Sequence, residues 1–105
     1  MELNLFWTDF SQKKLEKIYE YYREKAGVRV AKNLVNGIFN EVLKLKIQPK
    51  IGQEEEFLKN RKQEFRYLVY KNYKVIYWIN EEENRIEIND VFDTRQNPIK
   101  IKRNT

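Results

Sequence analysis

The stretch FRYLVYKNYKVIYWI, residues 65–79, decides the fold. Two runs rich in aromatic and β-branched residues are separated only by Lys71 and Asn72, and such runs are typical of strands. Asparagine tolerates the left-handed backbone conformation that a two-residue turn needs, so we expect Asn72 to adopt it. The stretch therefore predicts an antiparallel β-hairpin.

The residues before this hairpin predict a strand followed by two helices. Leu3, Leu5 and Trp7 lie at alternate positions, as in a strand with one buried face. Thr8 is a suitable N-cap for a first helix, and Gly27 is well placed to end it. A second helix, from about residue 28 to residue 46, has apolar residues at the helical period, which are Ala31, Leu34, Val35, Ile38, Phe39, Val42 and Leu45. The two helices should form an antiparallel hairpin.

The rest of the chain completes an α+β domain. Residues 53–64 are mostly polar and predict a loop or a single helical turn. After a polar turn at 80–84, Ile86 and Ile88 alternate with polar residues and predict a fourth strand. The order is therefore β-α-α-β-β-β, with both helices on one face of a mainly antiparallel sheet. We expect residues 1–105 to form one domain.

The composition excludes several classes of function. The chain has no cysteine and no histidine, so the commonest metal ligands and the usual general base near neutral pH are missing. No glycine-rich phosphate loop or zinc-ligand spacing occurs. We therefore expect no metal and no cofactor. The N-terminus has neither a basic head nor a long apolar run, so we expect a cytoplasmic protein that does not bind membranes.

The charge indicates a polyanion or an acidic protein as the binding partner. The 21 Lys and Arg against 16 Asp and Glu give a net charge of +5. From Thr94 to Thr105 there are four bases, which are Arg95, Lys100, Lys102 and Arg103, and no acid. On the strands we expect Arg66, Lys74 and the later Arg95 to share one basic concavity. The alternative is that Arg66 and Lys74 only solvate an open sheet face.

Four stretches in this order resemble the RelE/ParE superfamily of type II toxin–antitoxin toxins across almost the whole chain. They are WTDFSQKKLEKIYEYY, FRYLVYKNYKVIYWI, RIEINDVFD and TRQNP. The resemblance implies the same β-α-α-β-β-β order. It also implies a cognate antitoxin, which would fold over apolar grooves between the helices and the sheet in a toxin–antitoxin hetero-oligomer.

The resemblance leaves two mechanisms open. RelE-like members are ribosome-dependent mRNA endonucleases, and in them Arg66 would stabilise phosphate charge with help from Lys59 and Lys62. The late histidine of that group is replaced here by Asp93, which is a proton acceptor near neutral pH only if its pKa is raised. ParE-like members poison DNA gyrase and cut no RNA, and the TRQNP stretch around Arg95 is more like theirs.

We therefore favour gyrase poisoning over cleavage of ribosome-bound mRNA, with a non-toxic basic binding module as the third alternative. If the chain is RelE-like, it is an enzyme and Arg66 and Asp93 are the catalytic candidates. In either case the expected target-binding residues are the basic ones, namely Lys59, Lys62, Arg66, Lys74, Arg95, Lys100, Lys102 and Arg103.

Overall fold

The computed structural model describes residues 3–104, and the side chain of Arg103 lies outside the described part. The described elements, in chain order, are β1 (Asn4–Trp7), α1 (Asp9–Ala26), α2 (Val28–Leu43), β2 (Gln53–Glu54), β3 (Arg66–Tyr70), β4 (Tyr73–Asn80), β5 (Arg85–Asp93) and α3 (Lys100–Asn104). Short 3₁₀ helices lie at Lys44–Lys46 and Glu56–Leu58. Within the described residues, no helix is long and apolar enough to cross a bilayer.

The strands form one five-stranded sheet in the order β1-β5-β4-β3-β2. β1 runs parallel to β5, and the other neighbours are antiparallel. The predicted α+β class is confirmed, but the predicted number of strands is one too low. The additional strand, β2, is the two polar residues Gln53 and Glu54 paired with Tyr67 and Arg66, and so short a polar segment has no alternating apolar pattern.

The helical hairpin begins and turns where the sequence predicts. The Oγ1 atom of Thr8 accepts a hydrogen bond from the backbone N–H of Ser11 at 3.2 Å, which caps α1. Gly27 ends α1 with φ +98°, and its N–H donates to the carbonyl oxygens of Tyr22 and Arg23. That φ suits only glycine among the common residues, so the chain reverses there and α2 returns along α1.

The turn between β3 and β4 differs from the expectation in one residue. Lys71, and not Asn72, has the left-handed conformation, with φ 54°. The Nδ2 atom of Asn72 donates to Oδ1 of Asp93 at 3.2 Å. The backbone carbonyl oxygen of Asn72 accepts from the N–H of Thr94 at 2.8 Å. Asn72 is therefore used for its hydrogen bonds to the end of β5.

Apolar side chains cover both faces of the sheet. On the face that carries α1 and α2, here called the helix face, the main core includes Leu15, Ile38, Val75, Tyr77 and Ile88. On the opposite face, here called the outer face, a smaller core consists of Leu58, Phe65, Ile76, Phe92 and Ile101. Leu58 and Ile101 come from the second 3₁₀ helix and from α3. The expected open sheet face is thus partly covered, because the C-terminal residues fold back on it.

Candidate functional site

The structure does not bring Arg66, Lys74 and Arg95 into one concavity. Arg66 pairs across the strands with Tyr77, whereas Lys74 pairs with Val69. Since side chains alternate along a strand, Arg66 lies on the helix face with Tyr77, and Lys74 lies on the outer face with Ile76. The expectation of a shared basic concavity is wrong, because it places Lys74 opposite Leu68, whereas the observed register pairs Leu68 with Val75.

Arg66 binds backbone carbonyl oxygens at one end of the sheet. Its Nη1 atom donates to the carbonyl oxygen of Gly52 at 2.8 Å and to that of Lys50 at 3.3 Å. A cavity of about 320 Å³ lies beside the guanidinium, and its lining includes Lys50, Lys62 and Trp78. Two carboxylates, Glu64 and Glu81, line the same cavity and lower its positive potential.

Lys74 has a partner that the sequence did not suggest. Its Nζ atom lies 2.8 Å from Oε1 of Glu55, whose side chain is almost fully buried. The same ammonium lies 4.2 Å from the centre of the Tyr67 ring, within cation–π range. Glu55 also accepts a hydrogen bond from the N–H of Phe57 at 3.0 Å. This arrangement fixes the second 3₁₀ helix to the outer face, so Lys74 has a structural contact there.

Asp93 and Arg95 form a bidentate ion pair at the other end of the sheet. Nη2 of Arg95 lies 2.7 Å from Oδ2 of Asp93, and Nε lies 3.0 Å from Oδ1. The backbone N–H of Arg95 also donates to Oδ1 at 2.9 Å. These bonds to Arg95 lower the pKa of Asp93 to about 2, against the opposing effect of partial burial. Hydrogen bonding to Asp93 raises the pKa of Arg95.

A cavity of about 350 Å³ lies next to this ion pair, between α1 and the end of β5. Lys14 and Lys17 of α1 line it together with Tyr73 and Arg95. Lys14 is held in place by Asp90, a fully buried carboxylate whose Oδ1 lies 2.8 Å from Nζ. Burial, and then a hydrogen bond with Tyr22, raises the pKa of Tyr73 far above its ordinary value, so its phenol stays protonated.

The two catalytic candidates of the predicted nuclease site, Arg66 and Asp93, are far apart. Arg66 is opposite Tyr77 and Asp93 is opposite Tyr73, and these two positions of β4 are four residue steps apart. At the rise of a strand this is roughly 13 Å. A phosphate bound by Arg66 would therefore be out of reach of the Asp93 carboxylate.

The remaining basic residues are dispersed. Lys59 is exposed after the second 3₁₀ helix and lines a small cavity with Arg61, Glu55 and Glu64. Lys100 and Lys102 are exposed on α3, and the carbonyl oxygen of Lys102 accepts a hydrogen bond from Arg61 at 2.9 Å. The basic C-terminal segment is helical over Lys100–Asn104. The prediction for the Arg103 side chain falls outside the described part.

Sequence reasoning missed the lysines that line the two cavities, namely Lys14 and Lys17 near Arg95 and Lys50 near Arg66. Lys14 and Lys17 are three residues apart on α1, which is the one available signal that they share a helix surface. Which sheet end that surface meets depends on how α1 crosses β5.

Comparison with known families matches residues 5–98 to the family of the ParE toxin of the type II toxin–antitoxin system parDE. The chain belongs to the ParE toxin family. The resemblance to RelE/ParE toxins that the sequence suggested is thereby confirmed. No curated protein sequence matches this ParE-family chain.

Solved structures share the fold. The chromosomal ParDE toxin–antitoxin system of P. aeruginosa aligns with a TM-score of 0.72 at 19% identity, covering 88% of this chain and 96% of the other. A free E. coli RelE toxin with two arginine-to-alanine substitutions aligns at 0.64 and 14% identity, covering 98% of each chain. The YoeB dimer of Staphylococcus aureus aligns at 0.52 and 21% identity, covering 87% of this chain and 95% of the other.

Proposed function

We propose that this ParE-family toxin arrests bacterial growth in the cytoplasm by binding and poisoning DNA gyrase, without cutting RNA. The observation that carries the proposal is the bidentate ion pair between Asp93 and Arg95. Both carboxylate oxygens accept hydrogen bonds from that guanidinium at 2.7–3.2 Å.

RNA cleavage by a 2′-hydroxyl needs a general base with a pKa near the working pH and a cation at the phosphate. Asp93 has a pKa of about 2, so its carboxylate is a very weak base. Arg66 lies at the opposite end of the strands and donates to the carbonyl oxygens of Lys50 and Gly52. The arrangement therefore favours binding a target over cleaving one.

One observation favours the alternative, a RelE-like endonuclease acting on ribosome-bound mRNA. The cavity beside Arg66 combines two lysines, Lys50 and Lys62, with the indole of Trp78. Cations for phosphate and an aromatic surface for a base are what single-stranded RNA sites use. This alternative requires the guanidinium of Arg66 to exchange its carbonyl partners for phosphate.

We also propose that a cognate antitoxin covers an apolar groove on the helix side. The groove, of about 470 Å³, is lined by Trp7, Leu15, Tyr19, Val35 and Phe39 among others. The rings of Trp7 and Phe39 lie 5.1 Å apart, so the groove has a preformed aromatic floor. A segment that folds on contact would bury this surface in a toxin–antitoxin hetero-oligomer.

Expression of the chain alone tests the toxin function, and purified protein tests the mechanism. Growth should stop on induction, and supercoiling by purified gyrase should fall while ribosome-bound mRNA stays intact. The substitution Arg66→Ala separates the mechanisms, since it should abolish mRNA cleavage by an endonuclease, whereas it should only weaken gyrase inhibition, because Arg66 then acts through the carbonyl oxygens of Lys50 and Gly52 and not on the target. Intact supercoiling together with cut mRNA would overturn the proposal. Harmless expression of folded protein would instead indicate a non-toxic binding module.

A further inference from the structure

The loop between the first 3₁₀ helix and β2 displays two isoleucines to solvent. Ile47 is 86% exposed and Ile51 is 48% exposed. The exposed part of an isoleucine side chain gains no burial energy from folding, and two such side chains on one short loop form an apolar tip. Residues 47–51 are here called the isoleucine loop.

Buried and half-buried side chains hold this loop rigidly. The phenol of Tyr77, fully buried, donates to the carbonyl oxygen of Pro49 at 2.7 Å and accepts from the N–H of Gly52 at 2.9 Å. Arg66 donates to the carbonyl oxygens of Lys50 and Gly52. Within the loop, the N–H of Ile51 donates to the carbonyl oxygen of Gln48 at 3.1 Å. The apolar tip is therefore preorganised, which lowers the entropy cost of binding.

The surroundings of the isoleucine loop favour a protein partner. A groove of about 620 Å³ continues from Pro49 and Ile51 to Leu3 and Ile79, so the apolar surface is larger than the tip. Isoleucine cannot stack on a nucleobase, and base stacking is what single-stranded nucleic acid sites use. Burial of aliphatic side chains in a pocket is instead the usual centre of a protein interface.

The charges around the loop indicate which charge the partner's binding surface should have. Three lysines, Lys44, Lys46 and Lys50, are exposed before and within the loop, and one carboxylate, Glu81, lines the adjoining groove, so the local charge is positive in sum. Lys44 contacts Glu41 at 2.9 Å, an exposed pair that is easily exchanged. Complementary charge on the partner would be carboxylate, which also speeds association with a chain of net charge +5.

We infer that the isoleucine loop is the surface with which this toxin docks on its protein target, in an apolar pocket flanked by carboxylates. The inference rests on the proposed function for the identity of the target, DNA gyrase. It assigns Arg66 and Tyr77 as positioning residues, since they act on the target only by holding the loop.

The test compares two double variants that each remove two exposed aliphatic side chains. Ile47→Ser/Ile51→Ser alters the loop. Val69→Ser/Ile99→Ser alters β3 and the turn before α3, where the side chains are 54% and 49% exposed. Thermal unfolding first shows that both variants fold like the parent. Inhibition of purified gyrase is then titrated, and at least a tenfold higher concentration of the loop variant should be needed, with the control unchanged.

Each other result has a defined meaning. Equal inhibition by the loop variant and the parent overturns the inference, as does an equal loss with both variants. If the parent does not inhibit gyrase, the proposed target is wrong, and growth arrest by the same variants decides the role of the loop. If the control variant arrests growth and the loop variant does not, the loop docks on another protein target. If both variants arrest growth, the inference is overturned.

Two further measurements test whether the isoleucine loop binds a second copy of the chain or duplex DNA. If the loop substitutions dissociate a dimer of the parent in light scattering, the loop binds a second copy and the inference is overturned. If they weaken binding to linear duplex DNA alone as strongly as they weaken gyrase inhibition, the partner is nucleic acid and the inference is likewise overturned.

Discussion

Arg66 and Tyr77 are opposite each other on β3 and β4, and both bind the loop that carries Ile51. The arginine binds it through two carbonyl oxygens and the tyrosine through one carbonyl and one N–H. A strand arginine that the family resemblance associates with phosphate is thus used here within the fold. The pair links the stability of the sheet to the position of the isoleucine loop.

Tyr77→Phe should lower the free energy of unfolding by about 1–3 kcal/mol, because it leaves the carbonyl of Pro49 and the N–H of Gly52 without their buried partner. Urea unfolding followed by circular dichroism measures this. Tyr21→Phe, at an exposed ring, is the control and should change stability by less than about 0.5 kcal/mol. Equal effects of the two substitutions would show that the phenol of Tyr77 does not hold the loop.

Gly52→Ala should destabilise the protein by about 1–3 kcal/mol through overpacking. An added Cβ would lie 2.5 Å from Oη of Tyr77 and 2.8 Å from the carbonyl oxygen of Tyr67. The latter is backbone and cannot rotate away. The melting temperature should fall for Gly52→Ala and stay nearly constant for Gln53→Ala, an exposed neighbour. An unchanged melting temperature for both variants would contradict this close packing.

Lys74→Met should lower the free energy of unfolding by about 3–5 kcal/mol, because it leaves the buried carboxylate of Glu55 without its counter-ion. An ordinary surface substitution costs less. Adding Glu55→Gln should recover part of the loss, which chemical denaturation of the single and double variants would detect. Lys44→Met breaks the exposed pair with Glu41 and should cost less than about 1 kcal/mol. Strict additivity of the Lys74 and Glu55 substitutions would refute the coupling.

Asp93→Asn should reduce stability at neutral pH by about 1 kcal/mol, after allowance for solvent screening of the exposed Arg95. The folded-state pKa of about 2 is below the ordinary value of 3.8, so the carboxylate stabilises the fold above about pH 4. That contribution is lost as the pH falls from about 4 to about 2. Thermal melts across this range should therefore fall less steeply for Asp93→Asn than for the parent. Glu82→Gln, at an exposed turn residue, should retain the parental slope.

The elements that the sequence predicted best are those with local causes. The capping of α1 by Thr8 and the reversal at Gly27 involve residues within a few positions of one another. The hairpin of β3 and β4 was also predicted, although the left-handed residue is Lys71. Asn72 instead hydrogen-bonds Asp93, which is 21 residues away in the chain.

The candidate site was predicted less well, because it depends on register and on long-range contacts. Arg66 and Lys74 are both basic strand residues in the sequence, and only the pairing of Arg66 with Tyr77 and of Lys74 with Val69 puts them on opposite faces. Lys50 is in the isoleucine loop, where no local pattern marks it, and it reaches the cavity beside Arg66 because the loop is bound to the sheet.

The sequence by itself determined the α+β class, the order of the main elements, the basic character and the family. These follow from the periodicity of apolar residues and from motifs, which are properties of neighbouring positions. The tertiary structure alone decided that Asp93 is remote from Arg66, and that Ile47 and Ile51 stand on a rigid loop. Both results arise from contacts between distant segments, because hydrogen bonds such as the one between Tyr77 and Pro49 exist only after the sheet has formed.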